Sequence, residues 1–418
     1  MKALAVLHAA QLVTLAGPAR PRVGPELAEL AIIPDGGMLI RDGVIAAVGS
    51  SAEIAPQIPA DAEVVNGSGC VVLPGFVDAH AHPVFGGNRV EEFELRARGA
   101  SYEEIAAAGG GIRSTVRKTR AASEAELRAQ TLKHARWFLQ CGTTTVEAKS
   151  GYGLTTADEL KLLRVIRSLQ VETRLELVPT FLGAHAIPEE FTDRREEYVQ
   201  LVINEMLPQV VQEGLAEYCD IFFERGYFDE DTTRRVLTAA KGHGLKLRMH
   251  VDQLTNSGGA ALAAELGAAT ADHLEQTEAD GIQALARANV QPVLLPGSVY
   301  ALGKTRYPRA REMIEAGLAV VLATDFNPGS SQTPSIPMVL SLAATQMKMT
   351  PAEGVTAATI NAAYSLQRGD SIGSLEPGKV ANFSMFDCAD YRELAYYFGV
   401  PLTHSVYVRG ERVFGAAS

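Results

Sequence analysis

The chain is poor in cysteine and has no excess of basic residues, and each scarcity excludes a class of protein. Its four cysteines are Cys70, Cys141, Cys219 and Cys388. They lie far apart without a Cys-x-x-Cys pair, which disfavours a zinc knuckle or a disulfide framework and fits a reducing cytoplasm. The formal net charge of -11 disfavours nucleic acid and anionic membranes as partners. No apolar run approaches the roughly 20 residues that span a bilayer. These absences favour a small-molecule substrate.

Both ends of the chain have the pattern of short strands and turns. Residues 37–49 are two apolar runs around an Asp42-Gly43 turn, which is a strong hairpin signal. Residues 380–387 and 405–414 also resemble strands without helices between them. With 418 residues, the chain is long enough for one large domain and a small one. We therefore predict a small discontinuous β-sandwich domain made of residues 1–70 and 370–418.

The middle of the chain, residues 71–369, alternates apolar runs with amphipathic stretches of helical spacing. This pattern predicts an α/β fold, a (β/α)₈ TIM-like barrel, whose functional groups gather at the carboxyl ends of the strands. A doubly wound open sheet is the competing fold, but no Gly-x-Gly-x-x-Gly or Walker sequence supports it. The eight candidate strands end at His82, Glu147, His185, Phe223, His250, His273, Pro296 and Asp325.

Two histidines follow the first of these apolar runs. His80 and His82 are two residues apart, so on a strand both imidazoles point to the same face and can hold one metal ion. A single His-x-His also occurs by chance in surfaces and cores. Five of the nine histidines, however, fall at predicted strand ends, and in a barrel these ends converge on one mouth.

His250 supplies a third imidazole and Asp325 a carboxylate. Three nitrogens and one oxygen suit one Zn²⁺ or Fe²⁺ and leave a position for water, whose pKa a divalent ion lowers to around 7. Asp325 has an alternative interpretation as a capping or turn aspartate near residues 327–329. His273 is the candidate for stabilising or shuttling protons near that water, with Asp325 sharing the role.

Three further residues at strand ends suit a substrate. Arg89 can hold a carboxylate with its forked donors, and Tyr152 and Gln253 offer polar contacts. The alternative for each is an ordinary surface-loop residue. The triplet 109–111 is three glycines, and because no strand precedes it we expect a mobile loop that lines the mouth.

Residues 74–82 and Thr324-Asp325 resemble the amidohydrolase superfamily. Five longer stretches resemble one of its members, the imidazolonepropionase family of histidine degradation, and the resemblance runs nearly end to end. These stretches are residues 84–89, 109–112, 144–154, 180–185 and 325–330.

The resemblance implies roles for individual residues and a reaction. The reaction would be hydrolysis of the cyclic amide of 4-imidazolone-5-propanoate to N-formimidoyl-L-glutamate by a metal-activated water, in a cytoplasmic homodimer. Gln253 stands where related enzymes have Glu or Gln and cannot act as a base, which shifts proton transfer toward His273 and Asp325. His185 or His273 would stabilise the oxyanion. The implied metal ligands are His80, His82, His250 and Asp325; the implied substrate contacts are Arg89, Tyr152, His185, Gln253 and Ser330, with Asn327 and Gly329 meeting the product.

Three other functions stay open at this point. A mononuclear amidohydrolase that deaminates a purine or pyrimidine would use the same ligands, but such a base lacks the acidic tail that Arg89 is placed to bind. A binuclear enzyme with a carboxylated lysine is disfavoured because Lys149 lies on the wrong predicted strand and residues 219–224 contain no lysine. A noncatalytic scaffold on the same barrel is disfavoured because all the expected site residues are present.

Overall fold

The computed structural model describes residues 3–100, 104 and 109–415. The outermost positions of the predicted terminal domain, 1, 2 and 416–418, lie outside this part of the chain. The strands are β1 (Leu4–Val13), β2 (Ile32–Arg41), β3 (Val44–Ser50), β4 (Glu63–Asn66), β5 (Val71–Pro74), β6 (Phe76–Ala81), β7 (Thr143–Lys149), β8 (Glu176–Ala184), β9 (Tyr218–Phe223), β10 (Lys246–Val251), β11 (Thr270–His273), β12 (Gln291–Leu294), β13 (Val321–Leu322), β14 (Phe383–Phe386), β15 (Thr403–Val408) and β16 (Glu411–Phe414).

The helices fill most of the connections between strands. They are α1 (Ser51–Ile54), α2 (Val90–Ala97), α3 (Ile112–Ala121), α4 (Glu124–Gln140), α5 (Thr156–Leu169), α6 (Arg195–Leu201), α7 (Leu207–Gln212), α8 (Glu230–Gly242), α9 (Gly259–Leu266), α10 (Ala279–Ala288), α11 (Pro296–Ala301), α12 (Ala310–Glu315), α13 (Ile336–Met347), α14 (Pro351–Ala357), α15 (Ile360–Ser365) and α16 (Glu393–Tyr396). A π-helical segment, Val202–Met206, joins α6 to α7, and short 3₁₀ helices cover Gly24–Ala28, Ala55–Gln57 and Glu189–Phe191.

Strands β6 to β13 form a parallel sheet in which each strand lies beside the next one along the chain. The last strand returns to the first: the amide of Asp325 donates to the carbonyl of His80 over 3.0 Å, and the amide of His82 donates to that of Phe326 over 2.8 Å. These bonds close the sheet. The predicted TIM-like barrel is confirmed, and each predicted strand end lies within three residues of an observed one.

The interior of the barrel is apolar at one end and charged further along. Val77, Val178, Val293 and Val321 come from four strands and belong to one buried cluster, which also includes Ala362 of α15. Helix α15 packs against β6. The cluster fills the barrel below the carboxyl ends of the strands. Space for a functional site remains at the mouth that these carboxyl ends form.

The helices around the barrel follow from the sequence pattern. In α4, Leu127, Thr131, Ala135 and Phe138 recur every three or four residues and are all buried, so one stripe of the helix faces the core. The hydroxyl of Ser123 accepts a hydrogen bond from the amide of Glu126 and starts the helix. Amphipathic spacing and a capping residue together explain why this segment is a helix.

The ends of the chain meet in a second sheet of eight strands. Its order is β16-β15-β14-β5-β1-β2-β3, with β4 beside β1. The predicted terminal β domain is confirmed, although hydrogen bonds join its strands into one continuous sheet. Val44, at one edge, also bridges to Val380 just before β14, so the sheet curls back and encloses its own apolar core, which includes Leu12, Met38 and Phe383.

The two sheets meet at Gly75. Strand β5 pairs with β1 and β14 in the terminal sheet, and β6 begins the barrel one residue later. The sequence-based division assigned residues 71–74 to the barrel, whereas the structure assigns them to the terminal sheet. Any Cβ at position 75 would overlap the side chain of Thr144, so this tight crossing requires glycine.

Candidate active site

The four predicted metal ligands converge at the mouth of the barrel. His80 and His82 lie at the end of β6, His250 near the end of β10 and Asp325 after β13. The Nε2 atoms of His82 and His250 are 3.4 Å apart, and Asp325 Oδ1 is 3.6 Å from Nε2 of both His80 and His82. Ligand atoms at about 2.1 Å from a tetrahedral metal ion are separated by about 3.4 Å. The donor set therefore fits one such ion.

Carboxylates beside Nδ1 leave the metal-facing nitrogens of His80 and His250 free. Nδ1 of His80 lies 2.7 Å from Asp272 Oδ2, and Nδ1 of His250 lies 3.0 Å from Asp220 Oδ2. Each carboxylate favours the tautomer with its proton on Nδ1, which leaves a lone pair on Nε2. Nε2 of His80 is buried and has no hydrogen-bond partner among the described residues. A buried lone pair of this kind is what a metal ligand presents.

The electrostatics of the cluster keep the imidazoles neutral. Burial holds the pKa of His80 and of His82 well below the ordinary value and lowers the pKa of His250 to about 4. Burial also raises the pKa of Asp325 to about 6. Neutral imidazoles are the form that binds a metal ion, so three of the four ligands need no deprotonation near pH 7.

His273 has the opposite electrostatic character. Burial opposes its charged form, but the carboxylate of Glu275, 3.3 Å from Nδ1, and that of Asp325 outweigh this effect and raise the pKa of His273 above the ordinary value. Its ring centre lies 5.3 Å from that of His250. His273 also has a φ of 82°, in the left-handed region that such residues rarely adopt. A strained imidazole with a raised pKa, beside imidazoles whose pKa values are lowered, is suited to proton transfer.

A cavity of about 580 Å³ opens above the cluster. This is the size range of small-molecule sites. The structure brings every predicted substrate contact into its wall, whereas His80 lies beneath the wall with its side chain fully buried. The predicted residues in the wall are His82, Arg89, Tyr152, His185, His250, Gln253, His273, Asp325, Asn327, Gly329 and Ser330.

His185 lies between the metal ligands and the polar wall. Its ring stacks on that of His82, with centres 5.2 Å apart and planes 18° apart. Its Nδ1 donates to the carbonyl of Gly151 over 2.9 Å, so Nε2 is the nitrogen that remains for a ligand. Burial lowers the pKa of His185 to about 4. The residue is therefore a neutral hydrogen-bonding group near pH 7.

Arg89 is held so that part of its guanidinium remains for a ligand. Its Nε donates to the hydroxyl of Thr115 over 2.7 Å, and a Cβ at position 329 would overlap its Nη1. Gly329 therefore allows the guanidinium to approach the loop after β13. Thr115 occupies one donor, and Nη1 and Nη2 are left for an anion in the cavity.

Asn327 shapes the loop that carries Gly329 and Ser330. Its Oδ1 accepts from both of their amides over 2.8 Å each, and its Nδ2 donates to the carbonyl of Asp325 and to the Ser330 hydroxyl. All the polar capacity of the Asn327 side chain is thus used inside the loop. The loop position follows from Asn327, while Ser330, 3.4 Å from Asp325 Oδ2, faces the ligand cluster.

Sequence reasoning missed two kinds of functional residue. Arg96 lines the cavity and donates to the carbonyl of Gly329 over 3.4 Å, but α2 buries none of its side chains and so has no readable apolar face. Charged residues inside the barrel were also missed, although a signal existed. Arg248 stands within an apolar strand, where a charge needs a buried partner.

The comparisons with known proteins identify the family. The model of the amidohydrolase family matches residues 71–413. The imidazolonepropionase of Solibacter usitatus (strain Ellin6076) is 62% identical over 410 residues, which are 98% of each chain. That of Geobacillus thermodenitrificans (strain NG80-2) is 46% identical over 417 residues, 99% of this chain and 98% of the relative. The chain belongs to the imidazolonepropionase family of amidohydrolases.

Solved structures of amidohydrolase-like proteins share the fold of this imidazolonepropionase family member. Guanine deaminase of E. coli superimposes with a TM-score of 0.75 at 16% identity over the whole of both chains. An adenosine deaminase from Xanthomonas campestris, solved with bound zinc, gives 0.73 at 19% identity over 98% of this chain and 92% of its own. At these identities the likeness shows the fold alone.

Membership in the imidazolonepropionase family makes the protein a hydrolase that acts on a small molecule, with a histidine cluster able to hold a metal ion. A relative that is 62% identical and is named imidazolonepropionase argues against the noncatalytic scaffold. The curated relatives also do not support the deaminase alternative. Within the described residues, no helix is both long enough and apolar enough to cross a membrane.

Proposed function

We propose that the protein hydrolyses the cyclic amide of 4-imidazolone-5-propanoate to N-formimidoyl-L-glutamate, a step in histidine degradation. One observation carries the proposal beyond the family name. The same cavity is lined by the metal-ligand cluster and by Arg89, whose guanidinium has donors available for a carboxylate. A ring carbonyl at the cluster and an acidic tail at Arg89 are the two features of this substrate.

We infer that His80, His82, His250 and Asp325 hold one Zn²⁺ or Fe²⁺ per subunit. Three nitrogens and one oxygen within tetrahedral spacing support this assignment. A bound divalent ion supplies the Lewis acidity that makes water nucleophilic near neutral pH. The remaining work of catalysis falls to side chains of the chain itself.

Each of these side chains has a role that follows from its protonation state. Arg89 and Tyr152 bind and orient the propanoate tail. Neutral His185 carries its proton on Nδ1, so its Nε2 accepts a hydrogen bond from a ring N–H of the substrate and orients the ring. His273, the other residue suggested for the oxyanion, is the imidazole that can donate to it. His273, whose pKa is raised, holds a proton that it delivers to the departing ring nitrogen, and Asp325 takes the proton of the attacking water. Gln253 contributes hydrogen bonds only.

We also propose that the enzyme works in the cytoplasm as a homodimer. The cysteines are unpaired in the described structure, which supports a reducing compartment. The exposed side chains of Tyr396 and Phe398 offer an apolar surface for self-association. Sedimentation velocity tests the dimer, and a single species of 44.6 kDa at micromolar protein would refute it.

The experiment that tests the proposed reaction follows the ultraviolet absorbance of freshly prepared 4-imidazolone-5-propanoate. The metal content of the same sample is measured in parallel. We expect the absorbance to fall in proportion to enzyme and bound metal, with formation of N-formimidoyl-L-glutamate. Guanine and cytosine are tested for ammonia release. Ammonia release without loss of the imidazolone absorbance would replace the proposal with a deaminase.

A further inference from the structure

Five charged side chains lie inside the barrel directly below the metal-ligand cluster. All five are fully buried, with no exposed side-chain surface. The two cations and three carboxylates come from four different strands. They are Glu147 and Lys149 of β7, Asp220 of β9, Arg248 of β10 and Asp272 of β11.

Lys149 is the centre of this group. Its ammonium donates to Asp220 Oδ2 over 2.7 Å and to Glu147 Oε1 over 2.8 Å, and it lies 3.9 Å from Asp272 Oδ2. Arg248 covers another side, donating to the carbonyl of Ala79 over 2.7 Å and lying 3.5 Å from Asp272 Oδ2. The ammonium is therefore the one charge that reaches all three carboxylates.

Two of these carboxylates contact candidate metal ligands with the same oxygens that face Lys149, and the other oxygen of Asp220 accepts from the amide of His250 over 3.2 Å. Asp220 Oδ2 lies 3.0 Å from Nδ1 of His250, and Asp272 Oδ2 lies 2.7 Å from Nδ1 of His80. Lys149 is thus separated by a single oxygen from each of two histidines on different strands. Glu147 lies in no such pair with a histidine of the described structure.

Three carboxylates packed in the dry interior of a barrel repel one another and lose their hydration. Arg248 alone would leave two negative charges without a counter-ion. With Lys149 in place, Asp220 and Asp272 can both remain ionised and close beneath the imidazoles. A carboxylate held in this way fixes the ring orientation of a metal ligand and increases its basicity.

We propose that Lys149 is a positioning residue of the metal centre, which sets the orientation of His250 through Asp220 and that of His80 through Asp272. The lysine touches neither metal nor substrate. Its role is to hold in place the two carboxylates that contact Nδ1 of these histidines. Lys149 thereby couples β7 to candidate ligands on β6 and β10. The inference concerns metal binding and holds whichever substrate the enzyme takes.

The test compares Lys149→Met with the unchanged protein. The zinc affinity is measured by competition with a chelator, the visible absorption of the Co²⁺-loaded protein reports the ligand geometry, and the melting temperature of the metal-free protein reports stability. We expect the zinc affinity to fall at least tenfold and the Co²⁺ bands to shift or lose intensity. Neither readout depends on turnover of any substrate.

Two control variants separate positioning from general destabilisation. Glu147→Gln alters the same buried group but leaves both histidine-carboxylate pairs in place, and Leu163→Ala opens a cavity in the buried face of α5. Both are expected to lower the melting temperature while the zinc affinity stays within about threefold. Lys149→Gln, which is smaller and can still donate one hydrogen bond, replaces Lys149→Met if that variant does not fold.

Either of two results would overturn the proposal. One is a Lys149 variant that folds and keeps the zinc affinity and the Co²⁺ spectrum of the unchanged protein. The other is a loss of zinc affinity in Glu147→Gln or Leu163→Ala as large as in the Lys149 variant, which would make the effect one of stability. Failure of the imidazolone assay would leave these measurements valid and would concern the substrate alone.

Discussion

Nδ1 of His80 lies 2.7 Å from Oδ2 of Asp272, and both side chains are fully buried although 192 positions separate them in the sequence. Strand β6 carries the histidine and β11 the aspartate, on opposite parts of the barrel wall. The carboxylate accepts the Nδ1 proton and leaves Nε2 for a metal ion. The pair therefore belongs to the proposed metal centre, in which only His80 is a candidate ligand.

Replacing Asp272 by asparagine tests this relationship. We expect the zinc affinity to fall about 10- to 100-fold, because an amide neither fixes the tautomer nor increases the basicity of His80. Chelator competition measures the change. Asp193→Asn, at an exposed position, is the control with the same chemical substitution and is expected to bind zinc normally. Equal affinities in the two variants would contradict the assignment.

Arg89→Met removes the proposed partner of the substrate carboxylate. A charge-assisted hydrogen bond contributes about 1.5–3 kcal/mol, so we expect kcat/KM for imidazolone propanoate to fall about 10- to 100-fold. A substrate analogue with a neutral carboxamide tail is the matched test. The unchanged enzyme should prefer the acid strongly, and the variant should prefer it little or not at all. A preserved preference would assign the carboxylate to another residue.

Arg96 lines the mouth of the same cavity, and we expect it to attract the anionic substrate toward a protein whose net charge is -11. Arg96→Gln should lower kcat/KM about threefold at low ionic strength and less at high salt, because salt screens the attraction. Arg98→Gln removes the same charge two residues further along the chain, where the side chain is 72% exposed and paired with Glu94. Identical salt dependence in the two variants would refute a specific role for Arg96.

His273→Asn removes the proposed proton donor while leaving the four ligands intact. We expect kcat to fall about 10²- to 10⁴-fold with metal content unchanged. The pKa of His273 is raised, so in the unchanged enzyme activity should decline as the pH rises through that pKa and the imidazole loses its proton. The variant should lack this alkaline decline. His243→Asn, at an exposed position, is the control, and full turnover in His273→Asn would exclude the role.

Folding stability should depend on pH through His134, which lies outside the metal centre. Burial lowers the pKa of His134 below the value of about 6.5 expected in the unfolded chain. Below pH 6.5 the unfolded chain then binds a proton that the folded protein does not. The contribution of His134 to the free energy of unfolding is therefore complete above pH 6.5. It is lost as the pH falls, by at most about 1.4 kcal/mol per pH unit.

Urea unfolding at pH 7.5, 6.5 and 5.5 measures this dependence. His134→Asn keeps an amide that can donate to the carbonyl of Pro83, which Nδ1 of His134 contacts over 2.8 Å, and it removes the titrating group. We expect the free energy of unfolding of the variant to vary less between pH 6.5 and 5.5. If the free energy of unfolding changed equally with pH in both proteins, His134 would titrate alike in the folded and unfolded states.

The convergence of the candidate ligands could be predicted because its signals are local. His80 and His82 share a strand face through the two-residue period of a β-strand, and each remaining ligand ends an apolar run. Parallel strands of a barrel present their carboxyl ends at one mouth, so recognising the strands was enough to bring His250 and Asp325 to the same place. The fold and the meeting of the candidate ligands thus follow from periodicity and strand order.

The supporting contacts could not be predicted, because they depend on register across distant strands. Nothing local in the sequence pairs Asp272 with His80 or Lys149 with Asp220, and a shift of two residues in one strand would replace these partners. The position of the boundary between the two domains could not be predicted for a similar reason. Residues 71–74 and 76–81 both have the pattern of buried strands, and what separates them is the pairing of β5 with β1 and β14.

The crossing at Gly75 has a consequence for how the molecule can be taken apart. The polypeptide leaves the sheet built from both ends and, without any linker, becomes the strand that bears His80 and His82. Truncation of that sheet or a bulky fusion to it would displace, through a continuous backbone, two of the candidate metal ligands. We therefore expect that the barrel cannot be expressed without the terminal sheet. Cutting the chain at Gly75 would free the start of the strand that carries His80 and His82.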